Sequence, residues 1–316
     1  MESVNGALAQ HLIAISGYYT LANDTYRAKT FNEAGLNIDN QSVVIVSGKQ
    51  AKTLIPRVGP STMAVIDEFL QTGTSARMQE LETKYARQHK IIKEFSSLYG
   101  IGPVTAVKFY EDGCRTIEDL WNSPKLTDAQ KTGIIWREHI NIRIPYEEML
   151  VIELRIAELL AMSELPIRWD IAGSFRRKKE SSGDVDLLIQ TGDNLGMDKI
   201  LELLSPIIVA PLATGPTKFM GILRLSDDYN GHRIDIRLLV PPCYAYGLMY
   251  FTGSQKFNIL MRRKAVEYNL TLNEYTLYDD ATGIEHPAQT EEEIFEHLGL
   301  TYLSPDLRTD DIETLA

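Results

Sequence analysis

Two acidic residues stand one residue apart inside an apolar run, in the stretch DIAGSFRRKKESSGDVDLLI at 170–189. Successive side chains of a β-strand point to opposite faces, so Asp184 and Asp186 project together while their apolar neighbours point into a core. In a second apolar run, RIDIRLL, Asp235 shares one face with two arginines. If the two runs form neighbouring strands, the three carboxylates converge and repel one another unless cations hold them. Hard divalent cations with oxygen ligands, Mg²⁺ above all, fit that demand.

The residues around the first aspartate pair are suited to hold phosphate. Gly173 and Ser174 can bring backbone and hydroxyl donors against a phosphate, and Arg177 adds charge-assisted hydrogen bonds. Ser182 and Gly183 form a second turn of donors just before the acids. Two cations about 4 Å apart support in-line displacement at phosphorus. An isolated Asp-x-Asp pair is more often a solvated strand end, and it is this neighbourhood that favours phosphoryl-transfer chemistry.

The elements that must position these residues change in character near residue 167. Before about residue 165 the pattern is helical, as in STMAVIDEFLQTG, SPKLTDAQKTGIIWREHI and YEEMLVIELRIAELLAM. Short runs rich in β-branched residues follow, and Asn230–Gly231 is a hairpin signal between FMGILRL and HRIDIRLLV. We predict an α+β fold with a helical N-terminal half, a central mixed β-sheet and a small C-terminal α/β region.

Two tight glycine turns in the helical half have the form of a helix-hairpin-helix. Gly59 in IPRVGPSTMAVIDEF and the pair Gly100 and Gly102 in LYGIGPVTAVKFYEDG each precede a helix start with proline. Without a side chain in the way, a phosphate can approach the backbone, and the exposed N–H groups at the helix start can bind it. A single turn of this kind is more often a cap between packed helices. Two with the same Gly-Pro ending favour contact with a DNA backbone, without readout of sequence.

The formal net charge of −11 is concentrated at one end of the 316-residue chain. Asn273–Ala316 contains twelve Asp and Glu against one Arg, so the other residues balance to zero and leave room for a basic channel. We expect the acidic face to point away from DNA or to repel competing non-specific DNA. On that interpretation, neutralising Glu291, Glu292 and Glu293 leaves catalysis nearly unchanged.

Cysteine usage and hydropathy indicate the compartment. Cys114 and Cys243 lie far apart without metal or redox spacing, which is typical of a reducing compartment. We expect neither secretion nor membrane insertion, because no run is long enough to span a bilayer and the N-terminus lacks the pattern of a signal peptide.

Several motifs together resemble the X family of DNA polymerases, the group of polymerases beta, lambda and mu and terminal transferase. They are GSFRRKKESSGDVDLLI, TKFMGILRL, HRIDIRLLV, YFTGSQKFNILMRRKA, TLNEYTLYD, GIGPVTAVKFYEDGCRTIEDL and RIPYEEML. The resemblance covers about residues 20–305 in order. The Gly-Ser and Asp-x-Asp element alone indicates only the wider nucleotidyltransferase superfamily, and its combination with Tyr-Phe-Thr-Gly is more specific.

The resemblance implies a role for each motif residue. Asp184, Asp186 and Asp235 would bind two Mg²⁺ ions, which Mn²⁺ can replace, with Asp235 nearest the primer 3′ hydroxyl. Arg233 would orient Asp235. The residues implied to hold the incoming nucleotide are Gly173, Ser174, Arg177, Ser182, Gly183, Tyr250, Phe251, Gly253 and Asn258. Those implied to contact DNA are Gly59, Gly100, Gly102, Lys218 and Arg262, with a monovalent cation at the Gly100–Gly102 turn.

The chain departs from the family pattern at two informative places. The lysine with which polymerases beta and lambda attack a 5′-deoxyribose phosphate corresponds to Val65, and a phosphate-binding lysine one turn earlier corresponds to Ser61. Valine has no amine, so we predict no lyase activity of the usual kind, although Lys52 and Arg57 remain nearby. Tyr146 stands where the family has an arginine, which puts one triphosphate contact in doubt.

The resemblance therefore predicts a template-dependent DNA polymerase that fills short gaps in repair. The connection PLATGPTK is short where terminal transferases and polymerase mu have a long insertion, and the pair Tyr250–Phe251 is similar to beta and lambda. The alternatives are an untemplated nucleotidyltransferase and a catalytically idle DNA-end binding protein. The expected partners are gapped or primer-template DNA and deoxynucleoside triphosphates, with no membrane. We expect a monomer in the nucleus, or in the cytoplasm if the source is viral or bacterial.

The same resemblance predicts four domains. Residues 1–85 form an N-terminal helical domain in the position of a lyase, and 86–146 form a helical DNA-binding subdomain. Residues 147–242 form the catalytic palm. Residues 243–316 form a nucleotide-selection subdomain with the acidic C-terminus.

Overall fold

A computed structural model describes residues 5–22, 24–163, 166–190, 192, 195–312 and 314–315. The chain divides into two compact units, Met1–Leu126 (unit 1) and Thr127–Ala316 (unit 2). In the described residues, none of the helices has the length and apolar character needed to cross a membrane.

Unit 1 is helical, as the periodicity of its apolar residues predicts. Its described helices are α1 (Gly6–Leu21), α2 (Thr25–Asp39), α3 (Gly48–Leu54), α4 (Pro60–Thr72), α5 (Ala76–Ser96), α6 (Pro103–Glu111) and α7 (Ile117–Trp121). Asp24, Ser47 and Ser75 cap α2, α3 and α5 by accepting a hydrogen bond from a backbone N–H of the first turn. Leu12, Ile15, Ile38 and Ile66 belong to the core on which α1, α2 and α4 pack.

The two glycine turns lie where the sequence predicts them. Gly59 precedes Pro60 of α4, Gly102 precedes Pro103 of α6, and neither helix start has a side-chain cap. Gly100 has a φ of 72°, a left-handed conformation that an L-residue adopts only at a cost. The first N–H groups of α4 and α6 are therefore left for solvent or a ligand.

Unit 2 is built on a five-stranded mixed sheet in the order β2-β4-β7-β6-β5. Its described strands are β1 (Ile144–Pro145), β2 (Arg168–Ile171), β3 (Ser181–Ser182), β4 (Val185–Gln190), β5 (Ile208–Thr214), β6 (Lys218–Leu223), β7 (His232–Leu239), β8 (Leu270–Leu272), β9 (Leu277–Asp279) and β10 (Glu285–His286). Its described helices are α8 (Asp128–Ile135), α9 (Tyr146–Leu160), α10 (Gly173–Arg176), α11 (Met197–Leu204), α12 (Tyr244–Thr252), α13 (Gln255–Glu267) and α14 (Glu291–His297). Together with the helical unit 1, this confirms the predicted α+β class.

The central strands β4 and β7 run parallel, and β4 packs against apolar side chains on both faces. Val185, Leu187 and Ile189 point into the core formed with α9 and α11, while Leu188 packs with Tyr244 of α12 on the opposite face. Because both faces are buried, β4 is a nearly continuous apolar run. A separate core supports the small sheet β10-β9-β8 together with α13 and α14.

The Asn230–Gly231 signal marks the right hairpin but not a two-residue turn. β6 and β7 are antiparallel neighbours, and the connection between them is the longer loop 224–231. Gly231 lies against Trp136, where an added Cβ would come within 2.5 Å of the indole ring. The glycine is therefore required by this packing against Trp136.

One residue of the acidic C-terminal segment, Glu291, is buried in the structure. This residue is 5% exposed, and its carboxylate accepts hydrogen bonds from Arg176 at 2.8 Å and from the fully buried Arg308 at 2.7 Å. Burial alone would raise the pKa of Glu291, but the hydrogen bonds and charges of the two arginines outweigh it and lower the pKa. Glu292 is exposed, and Glu313 lies outside the described residues.

Candidate active site

The register of the central strands brings the predicted aspartates together. In the parallel pair β4–β7, Asp186 lies directly opposite Asp235, and Asp184 stands one residue before β4 begins. On β7, Ile234 and Ile236 are fully buried, while Arg233, Asp235 and Arg237 alternate onto the other face. The expectation that the two acidic runs are neighbouring strands is thus confirmed.

Burial and mutual repulsion disturb the ionisation of the carboxylates. The pKa of Asp186 is raised to about 7, mainly by burial and then by the charges of Asp184 and Asp235, which Arg233 and Arg177 offset only in part. The pKa of Asp235 is also raised, by burial and by Asp184. Acids destabilised in this way bind a cation readily, because a cation relieves the repulsion.

Arg233 contacts the first aspartate of the set. Its Nη2 donates a hydrogen bond to Oδ2 of Asp184 at 2.7 Å. Toward Asp235, which the resemblance gives as its target, Arg233 acts through its charge. This charge offsets part of the rise in the pKa of Asp235. As the side chains stand, no group of three or more His, Cys, Asp or Glu in the described part of the chain is arranged to hold a metal ion.

The donor set nevertheless fits hard divalent cations. Asp186 and Asp235 offer carboxylate oxygens from directly opposed positions on adjacent strands. Release of Asp184 from Arg233 would add a third carboxylate on the same side of the sheet. Oxygen ligands with concentrated negative charge are what Mg²⁺ binds in proteins.

The turn that carries Gly173 lies directly against this acidic centre. Gly173 has a φ of 60°, and a Cβ added there would stand 2.2 Å from Oδ2 of Asp186. The backbone N–H of Ala172 donates to the carbonyl oxygen of Asp186 at 2.8 Å. Ser174, the next residue of α10, is therefore fixed beside the carboxylates.

The second donor turn contains an unpaired hydroxyl. Ser182 is 1% exposed, and its Oγ has no hydrogen-bond partner among the described residues. Pairing of β1 with β3 places Ile144 opposite Ser182. Arg143, just before β1, donates from Nε to Oγ of Ser181 at 2.7 Å, and its guanidinium is the group nearest Gly183.

Sequence reasoning missed Arg143. It stands in the motif RIPYEEML, where the signal in the sequence concerns Tyr146 and the helix that follows. Only the pairing of β1 with β3 shows that Arg143 belongs to the same turn as Ser182 and Gly183. A basic side chain at this place is suited to a phosphate.

The predicted sugar and base contacts lie at the end of α12 and the start of α13. Arg177 donates to the carbonyl oxygen of Thr252, and its Nη1 lies 3.3 Å from the position of a Cβ on Gly253. Tyr250 and Phe251 meet edge to face at 5.2 Å. Thr252 also accepts a hydrogen bond from Arg176 through its hydroxyl at 2.9 Å, so this residue, which the sequence did not single out, anchors both arginines.

The remaining predicted side chains extend this group along α13. The Asn258 side-chain amide donates to the carbonyl oxygen of Tyr250 at 2.8 Å, and Arg262 stands 5.9 Å over the Tyr250 ring. Lys218 begins β6 opposite Arg237, and its charge offsets part of the rise in the pKa of Asp235. Gly59, Gly100 and Gly102 belong to unit 1.

The position of the absent lyase amine is closed by packing. Val65 is 4% exposed and lies in the apolar core of unit 1, while Ser61 on the same helix is exposed. Arg57 donates to Glu33 at 2.7 Å, and Lys52 is exposed. The Val65 side chain itself carries no nucleophilic group.

Comparison with known proteins gives consistent matches along most of the chain. The fingers domain of DNA polymerase lambda matches residues 93–141, the DNA polymerase beta palm matches 143–241, and the DNA polymerase beta thumb matches 247–309. DNA polymerase lambda of Arabidopsis thaliana is 27% identical over 93% of this chain, and that of Rattus norvegicus is 28% identical over 94%. DNA nucleotidylexotransferase of Gallus gallus is 27% identical over 79%. The chain spans 60%, 55% and 57% of the length of these three relatives, respectively.

Proposed function

Because this chain belongs to the X family of DNA polymerases, as its motifs predict, we propose that it is a template-directed polymerase that fills short gaps in DNA. The observation that carries the proposal is the register of Asp186 against Asp235 beside the Gly173 turn. A structural sheet has no use for repelling acids at the meeting point of two buried strands. A nucleotidyl-transfer centre requires them.

The residues would divide the work between holding the triphosphate and holding the primer. Arg177, Ser174 and the turn Ser182–Gly183 bind the phosphates, and the unpaired Ser182 hydroxyl is ready to donate. Asp184, Asp186 and Asp235 would hold two Mg²⁺ ions, which when bound lower the pKa of the primer hydroxyl and neutralise the departing pyrophosphate.

Asp235 lies nearest the primer 3′ hydroxyl in this proposal. Before any cation binds, Arg233 donates a hydrogen bond to Asp184, and its charge stabilises the negative charge of Asp235. Tyr250, Phe251 and Gly253 line the sugar, where a crowded backbone disfavours a 2′ hydroxyl. Most of the rate acceleration then comes from positioning and charge neutralisation.

Dependence on a template follows from two features. The connection from β5 to β6 consists of three residues, 215–217, which is too short to take the place of a template strand. The Tyr250–Phe251 pair also resembles beta and lambda. The similarity to DNA nucleotidylexotransferase keeps untemplated extension as the second candidate.

Two further parts of the proposal concern the N-terminal region and the organisation of the chain. Val65 supplies no amine, so we propose that no deoxyribose-phosphate lyase of the usual kind is present; a borohydride-trapped adduct with a deoxyribose-phosphate substrate would overturn this. The chain would work as a monomer in the nucleus. Its regions would be 1–85, 86–146, a palm at 147–242, and a nucleotide-selecting region at 243–316.

Primer extension on gapped DNA tests the proposal. The assay compares templated with single-stranded primers, each with and without Mg²⁺. Asp235→Ala should reduce templated extension by about a thousand-fold or more while gapped-DNA binding persists. Asp228→Ala, which changes an exposed aspartate of the 224–231 loop, is the matched control and should extend normally.

Each outcome separates the candidates. Extension of single strands at the gapped-DNA rate would favour the untemplated transferase, and DNA binding without any extension would favour an end-binding protein. Full activity of Asp235→Ala would remove this residue from the mechanism.

A further inference from the structure

Helix α5 carries a row of cations that the active centre does not use. Arg87, Lys90 and Lys93 follow one another at intervals of three residues, and all are exposed. No Asp or Glu occurs from residue 83 to residue 93. This stretch therefore presents positive charge that its own sequence does not offset.

Lys90 and Lys93 point away from the core of unit 1, and Arg87, also exposed, lies at the edge of the same face. The residues that α5 buries are Leu81, Ile91, Ile92 and Phe95. At 3.6 residues per turn, Lys90 and Lys93 lie opposite these positions, and Arg87 flanks Lys90 by about 60°. The cations thus form one outward surface, which we call the α5 cation row.

The members of the row have no ion-pair or hydrogen-bond partner among the described residues, whereas five other cations of unit 1 form ion pairs. Those in ion pairs are Arg27, Lys29, Arg57, Arg77 and Lys125. Like charges on neighbouring turns repel and weaken a helix. The helix dipole favours Lys93 in the last turn, but it gives no reason for Arg87 and Lys90.

The row leads directly into one of the two glycine turns. α5 ends at Ser96, the turn Gly100–Gly102 follows, and α6 packs against α5. The start of α6 has no side-chain cap, which leaves its first N–H groups available. These N–H groups and the α5 cations belong to the same helical hairpin, because α5 and α6 are consecutive and pack together. Both kinds of group bind phosphate without reading bases.

We propose that Arg87, Lys90 and Lys93 bind the phosphodiester backbone of duplex DNA and extend the footprint of the hairpin turn along α5. The proposal rests on the proposed function, since it takes DNA as the ligand. It assigns to α5 a binding surface in addition to its packing role. The interactions are electrostatic and independent of sequence.

The salt dependence of gapped-DNA binding tests the row. Arg87→Gln, Lys90→Gln and Lys93→Gln are combined in one variant of the full chain. Removal of each cation that neutralises a phosphate lowers the slope of log K against log salt by about 0.9, so the slope should fall by about 2 to 3. At 0.1 M salt this is binding weaker by about a hundred- to a thousand-fold.

The matched control removes the same charge from paired cations. Arg77, Arg155 and Lys199 each form an ion pair with a glutamate three residues further along a helix, and Arg77 lies on α5 itself. Their combined change to Gln should alter the slope by less than about 1. Thermal unfolding checks that both variants are folded.

The outcomes are distinct. A wild-type slope in the α5 variant, from a wild-type protein that binds and extends DNA, refutes the row alone. The same loss in both variants also refutes it, because net charge would then explain the effect. A wild-type protein that neither binds nor extends DNA overturns the proposed function and the row together.

Discussion

Gly173→Ala is expected to disable the active centre through one added methyl group. The Cβ would stand 2.2 Å from Oδ2 of Asp186, where contacts below 3.0 Å are essentially never seen. The carboxylate must therefore retreat by at least about 0.8 Å, or the turn must move by that amount. In addition, Gly173 has a φ of 60°, which costs an L-residue about 1–2 kcal/mol.

Two magnitudes follow from this geometry. Displacement of about 1 Å in a group that positions reacting atoms costs about a hundred-fold in rate, so the rate constant for extension should fall by about that factor. The backbone strain should lower the melting temperature by only a few degrees. The loss of activity is thus far larger than unfolding explains.

Single-turnover filling of a one-nucleotide gap measures the rate, and thermal unfolding measures stability. Gly196→Ala is the matched control in the same unit, because nothing lies within 4 Å of its Cβ position and its φ is −92°. The control should extend at the wild-type rate. A wild-type rate in Gly173→Ala would show that a methyl group at this position does not displace Asp186, and would refute the reasoning.

Two other substitutions test the surroundings of the site. Tyr146 packs against Phe175, in the turn proposed to bind phosphate, with ring centroids 5.2 Å apart. Tyr146→Ala should therefore raise the KM for nucleotide by about three- to ten-fold, while Tyr146→Phe stays near wild type; an unchanged KM in the alanine variant contradicts the role. The lowered pKa of Glu291 adds stability that is present above pH 4.5 and is lost as the pH falls through the folded-state pKa. Glu291→Gln should lower the free energy of unfolding by about 3–5 kcal/mol, because Arg308 stays buried without its charged partner, and it should flatten this acid dependence. The control Glu292→Gln should do neither. Calorimetry across pH measures both variants, and equal effects of the two substitutions would contradict the role of Glu291.

Alternation along two strands, together with the donor residues around the first aspartate pair, predicted the acidic centre. Asp184 and Asp186 around Val185, and Asp235 between Ile234 and Ile236, specify which face each acid takes, because a strand repeats every two residues. Helical spacing of apolar residues predicted the helical first half, and the Gly-Pro pairs before helix starts predicted both glycine turns. These features depend on local patterns that the sequence itself contains.

Features set by distant partners escaped prediction. Arg143 lies beside the Ser182–Gly183 turn only because β1 pairs with β3, and strands of two residues are too short to be recognised in the sequence. Glu291 resembles its exposed neighbour Glu292 in the sequence, and only the arrival of Arg176 and Arg308 distinguishes it. Charge and spacing along the chain do not show which distant residues will become neighbours in the fold.

The parallel pairing of β4 with β7 has a consequence for how the molecule is made. Asp186 and Asp235 are 49 positions apart in the chain, and a parallel pair needs a long crossover to close. Pairings so remote are slow to form and come after local helices. On the proposed function, a partly folded chain would already present its hairpin turns to DNA, but it would lack the acidic centre needed for extension until β4 and β7 pair.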